Sequence, residues 1–424
     1  MKHLQDNSTS TTNQSLKDKN FHTIESNSLF AITLEEINAL DKKRPFGLSG
    51  HMRVKNEEAT IEASVHSIMP VLDELILSVQ PSEDKTYELA LKLKDTYKDK
   101  LKLIYYTPSV LPAHSSHVRV GEEMKSVLKR FEGVLPAKSI HSLAHFYNHG
   151  MIKVSYSHYM KVDADQIYLT RKCQELKEAL KLIYDLDSAG FKISKLGKLK
   201  AKLIAKYFLR PNLKLTVLSY YLAYKNTAFA LGGINIGLSK AQFKDIYKDY
   251  DDKKNEKRYA LGSFSGPFKN GALKDLDITK LKTSFFKSGE KCMLKECLVP
   301  LKNNDYPPYN GSELLVLEVT KDNLYKMDKD YKYEVMPVAN VKSLQALGIF
   351  WLHFGLVKRN YFISGECFKD YIPIKNYIKA SKSFLLSSIT NATSHTLNHI
   401  KVWHKKDSKD LKKLLEKSLD SMQD

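Results

Sequence analysis

The chain has 424 residues, of which 42% are hydrophobic and 10% aromatic, so it can build a sizeable core and is not disordered throughout. This length suggests two domains, or one domain of about 250 residues with large additions. Lys and Arg number 67 against 48 Asp and Glu, which gives a formal net charge of +19. Such a surplus predicts a polyanionic partner: nucleic acid, an anionic membrane surface or a phosphorylated substrate.

The cysteines and the amino-terminal segment indicate in which cellular compartment the protein is expected. Four scattered cysteines do not make a disulfide framework, and we expect them to be reduced thiols of a cytosolic chain. Residues 1–27, rich in Ser, Thr, Asn and Lys, are expected to form a disordered tail and lack the apolar segment of a signal peptide. No apolar run reaches the roughly 20 residues that span a bilayer. We therefore expect a soluble or peripherally attached protein.

From residue 45 onward, short apolar strands alternate with amphipathic helices. The pattern predicts strands over 46–54, 74–79, 101–106 and 157–162, and helices over 57–69, 86–97 and 139–150. Alternation at this spacing predicts an α/β fold in which helices flank a mainly parallel sheet. Ligands of such sheets bind beyond the carboxyl ends of the strands.

Past residue 170 the alternation weakens. Residues 191–214 contain eight basic residues and no acidic one, and their leucines follow helical spacing, which predicts a basic amphipathic helix. Residues 216–238 are expected to be buried or interfacial, and a Lys-rich helix is expected over 409–422. The predicted organisation is a core over 45–185, a basic segment over 186–215, an acceptor-binding and catalytic completion of the core over 216–360, and a helical region over 361–424.

The strongest local signal is the segment KVDADQIY, residues 161–168. Asp163 and Asp165 follow directly after a buried strand, although Asp is poorly suited to strands. At a strand's carboxyl end, two carboxylates form an oxygen-rich site suited to Mg²⁺ or Mn²⁺ that carries a diphosphate. The alternative is a polar turn that caps the next helix.

Two further polar loops follow the first two strands. Asn56, Glu57 and Asp84 offer hydrogen-bonding groups for a base and ribose, and Arg53 and Lys55 offer cations for phosphate. Each loop taken singly is more typical of a cap on the helix that follows it. Three polar loops at one sheet edge together favour a nucleotide-binding site.

The order of these motifs is similar to that of a known family. The run MRVKNEEATIEASVHSIMPVLDELILSVQPSEDKT, followed by YMKVDADQIY, resembles the nucleotide-sugar domain of GT-A glycosyltransferases of the family 2 type. It is most similar to the bacterial lipooligosaccharide β-1,4-N-acetylgalactosaminyltransferases. The resemblance covers residues 45–170 and returns at Trp351–Arg359, which is similar to a late His-Phe-x-x-x-Lys segment. Lys85 stands where that family usually has Gly, and residues 191–343 do not align.

The resemblance implies a GT-A-like (Rossmann-like) sheet with a mixed α+β carboxyl-terminal part, and a metal-dependent, inverting glycosyltransferase. Glu57 and Asp84 would contact the nucleotide of a UDP-linked sugar, and Asp163 its ribose or phosphates. Asp165 would hold Mn²⁺ or Mg²⁺, with His353 as a further ligand; a satisfied core histidine is the alternative. The acceptor would be a lipid-linked saccharide of lipopolysaccharide, lipooligosaccharide or capsule. A cytoplasmic enzyme of this kind can lie on the inner face of the cytoplasmic membrane.

The roles of several polar residues remain open. The catalytic base is Glu313, or else Asp245 or Glu318, and each of these could instead be a solvated surface carboxylate. Asn148 is a candidate donor contact by position alone. Histidines at positions 141, 145 and 149 have the i, i+4, i+8 spacing of helical metal ligands. No Glu completes a zinc motif, so helix packing, or capping by a cation at the helix end, is favoured.

Two other function classes remain open. A D-x-D motif on such a sheet also suits a nucleotidyltransferase that makes sugar nucleotides, although those enzymes usually have a Gly-rich loop after the first strand. The positive charge also suits a nucleic-acid-binding protein, but the aromatic residues do not interleave with basic ones as they do in RNA-binding modules. Dinucleotide-binding and serine-hydrolase motifs are not found in the sequence.

Overall fold

A computed structural model describes residues 29–58, 60–110, 129, 138–207, 213–225, 227–239, 298–300, 309–327, 334–335, 343–355, 362–363, 371–374 and 405–416. These residues belong to two compact units. The smaller unit draws on 1–43, 106–154 and 319–340, and the larger on 44–105, 155–318 and 341–424. The expected tail over 1–27 lies outside the described residues, and the division of the chain into four further segments stays a prediction.

The strands and helices are numbered in chain order. The strands are β1 (Leu48–Val54), β2 (Glu74–Val79), β3 (Leu101–Tyr105), β4 (His158–Asp163), β5 (Gln166–Tyr168), β6 (Thr227–Asn235), β7 (Leu238–Ser239), β8 (Leu298–Pro300), β9 (Tyr309–Glu318), β10 (Lys326–Met327), β11 (Glu334–Val335), β12 (Ser343–His353), β13 (Phe362–Ile363) and β14 (Tyr371–Pro373). The helices are α1 (Leu34–Ala39), α2 (Ile61–Ile68), α3 (Thr86–Tyr97), α4 (Leu143–Met151), α5 (Thr170–Ser188), α6 (Lys195–Tyr207), α7 (Leu213–Tyr224) and α8 (Lys405–Leu415).

The larger unit is built on an eight-stranded sheet with the strand order β3-β2-β1-β4-β9-β6-β12-β5. Six of these strands run in one direction, and β9 and β5 run antiparallel to them. The predicted α/β fold with a mainly parallel sheet is therefore confirmed. Almost every residue of β1, β2 and β4 is buried, as expected for parallel strands covered on both faces.

The agreement with the sequence pattern is closest in the first 170 residues. Strand β2 and helix α3 have the predicted bounds, and α4 begins at Leu143, a few residues later than expected. Farther along the chain, the basic helix expected over 191–214 is two helices, α6 and α7. The apolar run over 216–238 divides between α7 and β6, with Lys225 between them at a φ of 58°.

The hydrophobic core of the larger unit includes residues of β1, β2, β4, α2, α5 and α7. Full burial of a Leu, Ile, Val or Met side chain contributes about 1.5–3 kcal/mol. One close contact determines how two strands pair: Trp351 of β12 is opposite Gly233 of β6. A Cβ at position 233 would overlap the indole, so this pairing requires glycine.

The three spaced histidines lie in the smaller unit. Helix α4 begins after His141, whose Nδ1 lies 2.7 Å from a backbone carbonyl oxygen, and His145 Nε2 contacts another at 2.8 Å. Burial, followed by the charge of Lys153, lowers the pKa of His149 to about 4, so this ring is neutral and is not the cation expected at the helix end. Among the described residues, no group of three or more His, Cys, Asp or Glu is placed to hold a metal ion.

None of the helices in the described part of the chain combines the length and the apolar character that crossing a membrane requires.

Glu74, at the start of β2, is buried and has three partners. Its carboxylate accepts hydrogen bonds from the Ser49 hydroxyl at 2.6 Å and from the Ser155 backbone N–H, and it forms an ion pair with Lys102 at 2.6 Å. Burial raises the pKa of Glu74, but the contacts with Lys102, Ser155 and Ser49 together outweigh burial and lower it below 4.5.

We therefore expect Glu74 to stabilise the fold above its unfolded-state pKa, and this contribution to be lost as the pH falls through the lowered pKa of the folded state. The change Glu74→Gln should reduce the loss of stability between about pH 5 and about pH 3, measured by urea unfolding. The matched control is Glu88→Gln, an exposed position of α3. A Glu74→Gln variant with the wild-type acid dependence would contradict this role.

Candidate active site

The carboxyl ends of β1, β2, β4, β6 and β12 lie at the same edge of the sheet, and polar residues cluster there. Asp163 ends β4, and Asp165 follows it in the turn to β5. His353 ends β12 and is paired with Asn235 of β6 on one side and Gln166 of β5 on the other. We call Asp163, Asp165, Asn235 and His353 the edge site.

The turn between β4 and β5 is held by a closed ring of three hydrogen bonds. The Asp163 N–H donates to Tyr168 Oη at 3.0 Å, that hydroxyl donates to Gln166 Oε1 at 2.9 Å, and Gln166 Nε2 donates to Asp163 Oδ2 at 3.3 Å. Burial, followed by the charge of Asp163, raises the pKa of Tyr168 well above its usual value. The hydroxyl therefore stays protonated, and the ring of hydrogen bonds fixes the conformation of the D-x-D turn.

Asp163 also has a cation and a helix as neighbours. Lys161 Nζ lies 3.8 Å from Asp163 Oδ2, and the side chains of both residues are largely buried. The hydroxyl of Ser64, in α2, donates to the Asp163 carbonyl oxygen at 3.0 Å. The position of this carboxylate is thus set by the strand, the turn and the helix together.

Asp165 faces His353 across a short gap. Asp165 Oδ2 lies 3.5 Å from His353 Nε2, and the two side chains are only 15% and 12% exposed. The other ring nitrogen, His353 Nδ1, is 2.7 Å from Asn235 Oδ1. In the tautomer with the proton on Nδ1, the ring donates to this amide oxygen, and Nε2 presents a lone pair on the side of Asp165. The Phe354 N–H also donates to the Asp165 carbonyl oxygen at 2.7 Å, which ties the turn to β12.

The space between Asp165 and His353 fits a divalent cation. Their separation of 3.5 Å is longer than a hydrogen bond and suits two ligand atoms that each bind one cation at about 2.0–2.2 Å. Gly355 keeps this space open, because a Cβ there would lie 2.7 Å from His353 Nε2 and 3.5 Å from Asp165 Oδ2. Two protein ligands suffice for a cation whose other ligands are substrate phosphates and water.

The loops after β1 and β2 are tied to each other. The Asp84 carboxylate accepts from the backbone N–H of Thr86 at 3.0 Å and of Glu58 at 3.2 Å. Asn56, in the left-handed region at a φ of 55°, accepts from the Glu83 N–H at 2.9 Å. Asp84 and Asn56 therefore join the two loops, and Asp84 also binds the first N–H of α3. The N-cap residues of α2 and α3 are Thr60 and Lys85, and neither makes a side-chain capping bond, so Asn56 is not a helix cap. A contact of Asp84 with nucleotide stays a prediction.

The other predicted donor-binding residues stand near the same edge. Glu57 is buried, and its backbone N–H donates to Thr86 Oγ1 at 2.7 Å. Arg53 is half-buried in β1, opposite Asp163 in the strand register, and Lys55 is exposed in the loop that follows. The structure thus brings the predicted phosphate-binding cations and the D-x-D turn to one sheet edge.

Two of the remaining predicted residues have other structural surroundings. The Asn148 amide, in the smaller unit, donates to the Tyr325 carbonyl oxygen at 2.9 Å and accepts from the Tyr325 N–H at 2.6 Å, so both of its polar ends have structural partners. Glu318 pairs with the first residue of β4, at the opposite end of the strand from the edge site. Glu313 lies in β9, and Asp245 lies outside the described residues.

Sequence reasoning missed three roles at this edge. Asn235, which contacts the His353 ring, is the last residue of the apolar segment ALGGIN. A polar residue at the end of an apolar segment was the sequence feature that could have indicated this role. Gln166 and Tyr168 directly follow the D-x-D motif. No sequence pattern indicates that their side chains stabilise the turn.

No protein-family model and no curated protein sequence matches the chain. Among solved structures, glucosyl-3-phosphoglycerate synthase from Mycobacterium tuberculosis with Mn²⁺, UDP-glucose and phosphoglyceric acid is 21% identical over 32% of this chain and 39% of that chain, with a TM-score of 0.18. The same enzyme with Mg²⁺ and UDP is 19% identical over 43% of this chain and 56% of that chain, with a TM-score of 0.20. The chain thus spans about two fifths of the first of these structures.

The contact of Gly355 with His353 can be tested by a double-mutant cycle. We expect Gly355→Ala to lower the free energy of unfolding by about 1–3 kcal/mol, because the new methyl group displaces the imidazole. In a His353→Ala background the methyl group has room, so the same change should cost much less. Urea unfolding of the four proteins gives the coupling energy. Equal costs in the two backgrounds would show that the methyl group does not meet the imidazole.

Proposed function

We propose that the protein is a GT-A-like, metal-dependent, inverting glycosyltransferase that moves a sugar from a UDP-linked donor to a saccharide acceptor. The observation that carries this proposal is the pairing of Asp165 Oδ2 with His353 Nε2, 3.5 Å apart at the carboxyl edge of a mainly parallel sheet. A carboxylate and an imidazole with this spacing suit Mn²⁺ or Mg²⁺. The adjacent polar loops suit a nucleotide.

The residues of the edge site have distinct proposed roles. Asp165 and His353 would hold the cation, which when bound would stabilise negative charge on the leaving nucleoside diphosphate. Asn235 keeps His353 Nε2 directed at Asp165. Asp163 would contact the ribose or phosphates of the donor from its fixed position in the turn.

The nucleotide would lie along the loops after β1 and β2. Arg53 and Lys55 would attract its phosphates, and Glu57 and Asp84 would accept hydrogen bonds from the nucleoside. The bonds that already join these two loops support this proposal, because a preformed loop pair loses little conformational entropy when a ligand binds.

The base would take the proton from the acceptor hydroxyl as that oxygen attacks the anomeric carbon in line. We propose Glu313 for this role, with Asp245 as the alternative. The first residues of β9, the strand that contains Glu313, pair with Gly233 and Ile234 near the end of β6. The backbone of β9 therefore approaches the edge where the donor is proposed to bind.

The proposed acceptor is a lipid-linked saccharide of lipopolysaccharide, lipooligosaccharide or capsule. Support comes from the likeness of the ordered motifs to lipooligosaccharide transferases and from the net charge of +19, which favours an anionic surface. A cytoplasmic enzyme would meet such an acceptor at the inner face of the cytoplasmic membrane. Nucleic acid is not a proposed partner.

A panel of nucleotide sugars incubated with Mn²⁺ or Mg²⁺ tests the reaction class. Release of nucleoside diphosphate would support a glycosyltransferase. A parallel incubation with nucleoside triphosphates and sugar 1-phosphates tests the second candidate, because a cation at the same sheet edge also suits a nucleotidyltransferase. Release of pyrophosphate there, with no turnover of nucleotide sugars, would replace the first proposal.

The change Asp165→Asn should lower turnover by about a hundredfold or more while the fold persists. The amide keeps the volume of the carboxylate but lacks the charge that attracts the cation, whose stabilisation of the transition state is worth several kcal/mol. Circular dichroism and a thermal melt would verify folding. The control is Asp99→Asn, an exposed carboxylate in the 3₁₀ turn at Lys98–Lys100. Wild-type turnover with an unchanged metal requirement would exclude Asp165 as a ligand.

The change Asn235→Ala should weaken Mn²⁺ binding by about 10–100-fold, because the His353 ring loses the partner that fixes its tautomer and orientation. Mn²⁺ titration followed by electron paramagnetic resonance measures this without any assumption about substrate. Asn38→Ala, at an exposed position of α1, is the matched control. An unchanged Mn²⁺ affinity would show that Asn235 does not support a metal ligand.

A further inference from the structure

Helix α6 has one side that is buried or half-buried. It packs against α7, and Ala201 is buried while Gly197 and Ile204 are half-buried. At about 100° per residue, these three positions lie on one side of the helix. Three leucines of α6 lie on another side of the helix.

That other side is a stripe of exposed leucines. Leu196, Leu199 and Leu203 are 62%, 53% and 46% exposed, and they follow each other at helical i, i+3, i+7 spacing. The stripe lies about 120° around the helix from the buried side. The structure places these leucines at the surface. A contiguous apolar stripe at the surface marks an interaction site.

Lysines accompany the stripe. Lys195, Lys198, Lys200 and Lys202 are exposed, and residues 191–214 contain no acid. The Nζ of Lys202 lies 5.5 Å from the centre of the Tyr224 ring in α7, so this lysine also contributes to helix packing. The others extend from the helix, and their aliphatic stems can reach past a buried stripe to place the charge in water.

We propose that α6 docks on an anionic lipid surface, with Leu196, Leu199 and Leu203 in the interface and the lysines against lipid phosphates. An apolar stripe beside basic residues is the pattern of helices that lie in the plane of the membrane interface. A protein partner would also bury the leucines. The segment 191–214 itself contains no acid, however, which fits a surface of uniform negative charge better than a protein surface with both signs interspersed. This inference goes beyond the proposed function and does not require sugar transfer.

Co-sedimentation of the full chain with vesicles tests the docking. The probes are vesicles of phosphatidylcholine alone and of phosphatidylcholine with about one third phosphatidylglycerol, in low salt and in about 0.5 M salt, where screening falls to a few ångströms. We expect binding to the anionic vesicles in low salt, and a large loss of binding in high salt or on neutral vesicles.

A charge variant with a matched control tests the lysines. Replacing Lys195, Lys198 and Lys200 with Gln should lower the partition coefficient by about a hundredfold, at about fivefold for each lysine near the surface. The control replaces the same number of lysines that are exposed elsewhere in the chain: Lys43→Gln, Lys100→Gln and Lys326→Gln. The control should bind more tightly than the α6 variant by at least about tenfold, although its net charge is the same.

A leucine variant tests the stripe. The double change Leu196→Gln and Leu199→Gln keeps good helix formers in α6 and should lower the partition coefficient by about tenfold or more. The matched control changes two leucines that are exposed in the smaller unit, Leu29→Gln and Leu34→Gln. Circular dichroism and a thermal melt would show that each variant is folded.

Three results would overturn the proposal. The first is no binding of the wild-type chain to anionic vesicles in low salt. The second is equal loss of binding in each α6 variant and its control, which would assign the attraction to overall charge or hydrophobicity. The third is concentration-dependent self-association that the leucine variant abolishes, without lipid binding, since the stripe would then be an interface between two copies.

Discussion

The register between β6 and β12 is the constraint on which the edge site depends. It sets His353 beside Asn235, and the antiparallel strand β5 sets Gln166 on the other side of the same residue. A slip of one residue would turn the His353 ring to the opposite face of the sheet, away from both Asn235 and Asp165. The contact of Trp351 with Gly233, two residues before His353, opposes a slip toward Ile234, because a residue with a Cβ could not accept the indole so closely.

The loops beside the edge site are also fixed by their own side chains. Asp84 accepts hydrogen bonds from the backbone of both loops, and Asn56 adopts a left-handed conformation that Asn tolerates better than most residues. Such side chains are commonly explained either as helix caps or as ligand contacts. Here the bonds between the loops help to set the shape of the surface that the proposed nucleotide would meet, so structural and functional explanations of these residues do not exclude each other.

Much of the fold could be predicted because its signals are local. Alternating apolar strands and amphipathic helices placed β1 to β4, and the D-x-D turn follows directly from one of those strands. Asn235 could not be found in this way, because it contacts a histidine 118 residues away and only strand pairing brings the two together. The leucine spacing in residues 191–214 predicted a helix. It did not show which side of α6 is buried, because that side packs against α7 and includes Gly197 and Ala201, which add little to a hydrophobicity pattern.

The two carboxylates of the D-x-D turn stand only two residues apart, yet their surroundings differ in kind. Asp163 has the permanent cation of Lys161 at 3.8 Å and a hydrogen bond from the Gln166 amide, so the protein itself offsets much of its charge. Asp165 faces a histidine nitrogen that carries no proton in the neutral ring, and that nitrogen adds a lone pair where a cation could bind. A divalent cation placed at Asp163 would compete with Lys161 through like-charge repulsion, whereas at Asp165 it would gain a second ligand. In the proposed enzyme the same short motif would therefore serve two roles, and the neighbours that other strands supply favour Asp165 as the metal ligand.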